Sequence, residues 1–250
     1  MQMRKVAIVT GSGRGIGAAT ARLAARRGWD VCVNYAGRAE RAEAVVADVR
    51  AAGGRAIAVQ ADVSSEADVR RLFEACDREL GSLDALVNNA GIVQKAGKFL
   101  DYDAADVRRV LDVNVTGSFL CAQQAARRMS TARGGKGGAI VNVSSVAAVI
   151  GGANQWLPYG AAKGAINTFT LGLARELAPE GIRVNAVLPG LIDTEIHAEA
   201  GLGDRLHKLA PQVPMGRIGT PEECAEAILW LMSGEAAYLI GAILPVSGGR

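Results

Sequence analysis

One stretch near the N-terminus restricts the possible folds more than any other. Val6-Ala7-Ile8-Val9-Thr10, an apolar run of the kind buried on both faces of a parallel sheet, leads directly into Gly11-Ser12-Gly13-Arg14-Gly15-Ile16-Gly17. Helical spacing follows over residues 18–27 and stops at Gly28. Glycines let backbone approach a pyrophosphate, which rests on the helix N-terminus, where unpaired N–H groups and the helix dipole favour an anion. The spacing is Gly-x-x-x-Gly-x-Gly rather than the commoner GxGxxG. Gly11, Ser12, Arg14, Gly15, Ile16 and Gly17 are therefore candidate dinucleotide contacts.

The remaining chain repeats the alternation that this unit begins. Apolar runs at 31–35, 56–60, 83–87, 139–143, 182–187 and 242–246 read as strands. Between them lie helical stretches at 39–52, from Ser65 to Leu80, at about 104–129, at about 156–178, and from the capping box Thr220-Pro221-Glu222-Glu223 to about Met232. No linker or repeat interrupts them. The expectation is an α/β fold: a single Rossmann-type domain over residues 1–250, with a doubly wound parallel sheet of about seven strands and helices on both faces. Residues 191–216, with Gly201, Gly203, Pro211 and Pro214, break the alternation and read as a flap over the site.

Open sheets of this kind bind ligands at the carboxyl ends of their strands. An acid about 20 residues past the glycines usually accepts the adenosine ribose hydroxyl and selects NAD. Asn34-Tyr35 stand there instead, with Arg14 in the turn and Arg38 just beyond the strand. Uncharged residues beside guanidinium groups favour a ribose 2′-phosphate, so NADP(H) is expected and NAD is the less favoured choice. Asp62 and Val63 follow the third strand, where they could meet the adenine edge. Asn88 reads as a strand tether, and Asn89, Ala90 and Gly91 as small residues hugging a ligand. Pro189 and Gly190 end a later strand at the same crevice.

Tyr159 and Lys163 sit on one helix face. A phenol ionises near pH 10, and a cation within about 4–6 Å lowers that value, which would make Tyr159 a usable general acid/base. Asn114 lies mid-helix, where asparagine needs a local reason: a bond to backbone, or a water held in a proton relay. Ser144-Ser145 arrive at a strand's carboxyl end.

Charge and cysteine content limit the alternatives. The 28 basic and 25 acidic side chains are interspersed, which gives nucleic-acid binding little support. Cys32, Cys76, Cys121 and Cys224 form no CxxC pair and are expected to be buried thiols of a cytoplasmic protein. Two histidines, His197 and His207, make a histidine-rich metal site unexpected, and no metal ligand set is assigned. No cleavable signal is read at Met1–Lys5, and no apolar run approaches the ~18 residues of a membrane span.

Taken together, Thr10-Gly11-x-x-x-Gly15-x-Gly17, Asn88-Asn89-Ala90-Gly91, Asn114, Ser145, Tyr159-x-x-x-Lys163 and Pro189-Gly190-x-x-x-Thr194 resemble the short-chain dehydrogenase/reductase family over essentially the full chain. The resemblance implies an oxidoreductase moving a hydride between NADP(H) and a carbonyl or alcohol substrate. Its implied tetrad is Asn114, Ser145, Tyr159 and Lys163. Tyr159 would exchange the proton, Ser145 would hold the substrate oxygen, Lys163 would bind the nicotinamide ribose, and Asn114 would hold the relay water. Thr194 and the Ile192 backbone would anchor the carboxamide. Tyr35 is similar to the NADP-preferring members, including β-ketoacyl reductases and some sugar dehydrogenases. A homotetramer is implied, with the helices at 104–129 and 156–178 as interface elements. The alternatives are a catalytically silent NADP-binding regulator and an NAD-dependent sugar or polyol dehydrogenase.

Two departures from the family pattern stand out. The Ser145–Tyr159 spacing is one residue longer than usual, through Asn154-Gln155-Trp156-Leu157-Pro158, which reshapes the pocket and leaves Ser144 as an alternative serine. Ser247 stands where many members carry Asp. The substrate pocket is expected from residues 93–99, 146–156 and the 191–216 flap, with Trp156 and Leu157 as an apolar wall. Glu195 and His197 could as easily lie on the surface.

Overall fold

The computed structural model describes residues 4–195 and 205–250. Its strands are β1 (Lys5–Val9), β2 (Trp29–Tyr35), β3 (Ala56–Gln60), β4 (Ala85–Asn88), β5 (Gly138–Val143), β6 (Ile182–Pro189) and β7 (Ile243–Val246). They form one sheet in the order β3-β2-β1-β4-β5-β6-β7, and every neighbouring pair is parallel. The order reverses between β1 and β4, which opens a crevice at their carboxyl ends.

The helices are α1 (Gly15–Arg26), α2 (Ala39–Ala51), α3 (Glu66–Glu79), α4 (Ala104–Leu111), α5 (Gly117–Met129), α6 (Ala147–Ile150), α7 (Leu157–Leu177), α8 (Arg205–Leu209) and α9 (Pro221–Met232). Two-residue periodicity in β1 feeds two cores. Ala7 and Val9 join α1, α2 and α9 on one face, and Val6 and Ile8 join α3, α5 and α7 on the other. The Rossmann-type doubly wound sheet expected from the alternation is the fold observed. All four cysteines are buried thiols. Among the described residues no helix is long and apolar enough to cross a membrane.

Among the shifts from the sequence-based boundaries, two bear on the site. The helix expected over 104–129 is divided by a π-turn, Asp112–Thr116, that contains Asn114. The extra residue per turn widens the helix at that asparagine. α1 begins at Gly15, so the end of the glycine turn is already helical. Of the 191–216 segment, the described part holds α8, the 3₁₀ turn Ala210–Gln212, and a small cluster of Leu191, Leu206 and Val213. His197 lies outside the described residues.

Candidate active site

The glycine turn is built to bring backbone close to whatever enters the crevice. Gly11 has a φ of +61°, and a Cβ there would stand 2.9 Å from Ala90 Cα. A Cβ on Gly17 would stand 2.5 Å from Asn89 Nδ2, so any side chain would push the turn off β4. Asn89 in turn donates to the Thr10 and Gly11 carbonyls at 2.8 and 3.1 Å. Asn34 ties the turn from the other side: its Oδ1 accepts from Gly11 N at 3.0 Å and its Nδ2 donates to the Ala61 carbonyl at 3.0 Å. The N-terminus of α1 carries no side-chain cap, which leaves its N–H groups facing the crevice.

A cavity of about 410 Å³ runs along this crevice. It is lined by Gly11, Arg14, Gly15, Ile16, Tyr35, Arg38, Asp62, Val63, Asn89, Ala90, Gly91, Ser144, Ser145, Tyr159, Lys163, Pro189, Gly190, Ile192 and Thr194, so most of the residues expected from sequence converge. Ser12 and Gly17 do not line it. The Ser12 hydroxyl donates to the Val9 carbonyl at 2.6 Å, and its N–H donates to the Asn34 carbonyl. Ser12 thus braces the turn that carries the neighbouring glycines. Gly17 serves close packing.

Four side chains meet where β5, α7 and the π-turn converge. Tyr159 is hydrogen-bonded to Ser145. The Lys163 ammonium donates to the Val143 carbonyl at 2.7 Å and stands 5.5 Å from the centroid of the Tyr159 ring. Asn114 donates to the Ile92 and Val110 carbonyls, both at 2.9 Å, and its buried Oδ1 has no hydrogen-bond partner. A Cβ on Gly91 would lie 2.7 Å from that Oδ1 and 3.5 Å from Lys163 Nζ, so glycine alone keeps the space between them open. Asn114 stands behind this gap rather than on the cavity wall. Ser144 points elsewhere: its hydroxyl donates to the Lys163 carbonyl at 3.1 Å. Of the two serines, Ser145 is the one that faces Tyr159.

Electrostatics correct one sequence-based expectation. Burial pushes the Tyr159 phenol up to about 12, opposed only by the Ser145 hydrogen bond. Burial also pulls Lys163 down to about 8. The Lys163 ammonium gives its hydrogen bond to the Val143 carbonyl rather than to the phenol, and burial dominates the shift of Tyr159. At neutral pH Tyr159 therefore carries its proton, which is the state of an acid. Burial would raise the Asp62 carboxyl, but hydrogen bonds from Ser64 and Arg109 hold it below its ordinary value. Its two oxygens accept from Ser64 and Arg109, the latter at 2.7 Å.

The extra residue before Tyr159 is absorbed locally. Gly151, Gly152 and Asn154 all take left-handed backbone, Asn154 with a φ of +59°. Tyr102 braces the resulting turn, its hydroxyl lying 2.9 Å from the Gly97 carbonyl and accepting from Leu157 N at 3.3 Å. Gly97 N donates to the Gln155 carbonyl, which joins the 93–99 and 146–156 segments into one wall. Trp156 is buried in that wall with its ring edge-on to Tyr159, whereas Leu157 is exposed.

Several participants were not singled out from sequence. Arg41 and Arg109 line the cavity, as does Arg250. Arg41 pairs with Glu195 at 3.1 Å, linking α2 to the segment after β6. The only sequence signal for Arg41 is its place one helical turn past Arg38.

Comparison with known proteins agrees with this geometry. A family model described as enoyl-(acyl carrier protein) reductase matches residues 11–250. The chain is 46% identical to cis-4-hydroxycyclohexanecarboxylate dehydrogenase of Sinomonas cyclohexanicum, over 98% of this chain and 96% of that one. It is 39% identical to 3-oxoacyl-[acyl-carrier-protein] reductase FabG of Staphylococcus aureus, over 100% and 99% of the two chains. A short-chain type dehydrogenase/reductase from Mycobacterium marinum superposes with a TM-score of 0.92 at 36% identity, covering 99% and 96%. With its parallel sheet, glycine turn and Ser145–Tyr159 pair, the chain belongs to the short-chain dehydrogenase/reductase family and is an oxidoreductase.

Proposed function

We propose that the chain transfers a hydride between NADP(H) and a carbonyl or alcohol substrate, with Tyr159 exchanging the proton. The observation that carries this reading is the Ser145–Tyr159 hydrogen bond inside the cavity that the glycine turn also lines. Gly11, Gly15 and Ile16 would hold the pyrophosphate at the uncapped end of α1. Arg14, Tyr35 and Arg38 would hold the 2′-phosphate, with Val63, Asn89, Ala90 and Gly91 along the adenosine and Pro189, Gly190, Ile192 and Thr194 at the nicotinamide. The absence of an unpaired carboxylate among the described cavity residues suits that dianionic 2′-phosphate and supports NADP(H) over NAD. Bound nicotinamide would supply or accept the hydride.

The protein's own groups handle the oxygen. Tyr159, protonated at neutral pH, donates to the carbonyl oxygen during reduction, and Ser145 donates a hydrogen bond as negative charge develops there. Lys163 and the Asn114 Oδ1 flank the gap behind the phenol, where a water could carry a replacement proton to Tyr159. Alcohol oxidation runs the same path backwards. Exposed Leu111, Phe119 and Leu171, on α4, α5 and α7, support the homotetramer implied by the family resemblance.

The test is NADPH oxidation with a panel that includes 3-oxoacyl thioesters and 4-oxocyclohexanecarboxylate, chosen because of the two relatives' names. Reduction with a kcat/KM at least about tenfold higher for NADPH than for NADH is expected, given charge-assisted contacts to one extra phosphate. A strong NADH preference would reject the cofactor assignment.

A further inference from the structure

Arg250 lines the same cavity as Ser145 and Tyr159, and its Nη1 is buried without a hydrogen-bond partner. A buried guanidinium N–H that lacks an acceptor is costly, which makes it a ready receptor for an oxyanion. The two acids that line the cavity do not serve it, because Asp62 is paired with Arg109 and Glu195 with Arg41.

Its place in the sheet says which part of the ligand it meets. The backbone after β7 is held across the strand ends: Ser247 packs on Gly190, Gly248 on Val213 and Gly249 on Pro214. β7 is two strand spacings from β5, roughly 10 Å, and Ser145 follows β5. It is five spacings from β2, roughly 24 Å, where Tyr35 and Arg38 lie. Arg250 therefore stands at the end of the cavity where the carbonyl is held, far from the 2′-phosphate. Val93, Val146, Ile150 and Trp156 line the cavity as well and offer apolar surface to a hydrocarbon spacer.

We propose that Arg250 is a specificity residue that binds the carboxylate of an oxo acid or hydroxy acid while Ser145 and Tyr159 hold the reacting oxygen. This rests on the function proposed above. In the reducing direction the ketone carbon gains the hydride of NADPH, its oxygen gains the Tyr159 proton, and NADP⁺ is released. The carboxylate is unchanged.

The experiment compares 4-oxocyclohexanecarboxylate with its methyl ester in the wild type, Arg250→Gln and Arg250→Lys, and measures cyclohexanecarboxylate binding to the NADPH-bound proteins by calorimetry. The wild type should prefer the acid by at least about tenfold in kcat/KM, as a charge-assisted hydrogen bond allows. Arg250→Gln should bring the acid-to-ester ratio toward one and weaken cyclohexanecarboxylate by a similar factor, with Arg250→Lys intermediate and NADPH affinity held. Equal losses on acid and ester, or weakened NADPH binding, would overturn the proposal. Carboxylate binding that depends on Arg250 without turnover of either ketone would uphold it and reject only the catalytic reading. Binding that is absent, or equal in wild type and Arg250→Gln, would overturn it.

Discussion

The Lys163 ammonium stands 5.5 Å from the centroid of the Tyr159 ring, yet its hydrogen bond goes to the Val143 carbonyl at 2.7 Å. The pair is adjacent without being directly joined. The lysine is buried and its pKa lies near 8, while the phenol lies near 12. This arrangement keeps a proton on Tyr159 and leaves Lys163 close to losing one of its own.

Lys163 should leave a signature in stability. Its folded pKa, about 8, is below the ordinary 10.5, so the unfolded chain binds more protons between those values. Stability contributed by this site is lowest below pH 8 and recovers as pH rises toward 10.5. Compared with Lys163→Met, the wild type should gain about 2–3 kcal/mol over that window, at 1.36 kcal/mol per pKa unit. Urea unfolding of both proteins at pH 7 and pH 9.5 measures it. Parallel pH profiles would mean that the lysine is not desolvated.

The adjacent serines should separate cleanly. Ser145→Ala removes the donor beside Tyr159 and should lower kcat about 10²–10³-fold, as loss of a preorganised oxyanion donor does. Ser144→Ala removes the bond to the Lys163 carbonyl and should cost about 1 kcal/mol of stability, with a far smaller effect on turnover. The reverse ranking would move the catalytic role to Ser144.

Asn154 holds a left-handed backbone that glycine adopts freely. Asn154→Gly should therefore keep stability within about 1 kcal/mol of wild type, whereas Asn154→Val should lose more than that, because a β-branched residue resists positive φ. Thermal unfolding distinguishes the two. Equal losses would show that the Asn154 side chain, not its backbone, holds the turn.

Much of this was legible in the sequence, for identifiable reasons. The strand–helix alternation fixes a parallel sheet because each strand is buried on both faces, and β1 shows it with Val6 and Ile8 in one core and Ala7 and Val9 in the other. Tyr159 and Lys163 were visible as neighbours because helical spacing is local. What they do to one another was not, because the position of the lysine depends on the Val143 carbonyl, which comes from another strand. The same limit applies to Ser12, whose hydroxyl folds back on Val9, and to Asp62, engaged by Arg109 from α4. The Asn114 bond to the Ile92 carbonyl, the Tyr102 brace and the Arg41–Glu195 pair likewise join segments far apart in the chain. Periodicity carries no record of such contacts.

Tyr159 is the proposed proton donor and acceptor. Tyr159→Phe removes the hydroxyl and keeps the ring that packs against Trp156. The decisive measurement is steady-state turnover of this variant on the best substrate of the panel, together with its NADPH dissociation constant. The expected result is a kcat lowered by about 10³-fold or more, within the upper range for general acid–base catalysis, and an NADPH affinity within about threefold of wild type. A folded Tyr159→Phe protein that turns over at near wild-type rate would contradict it.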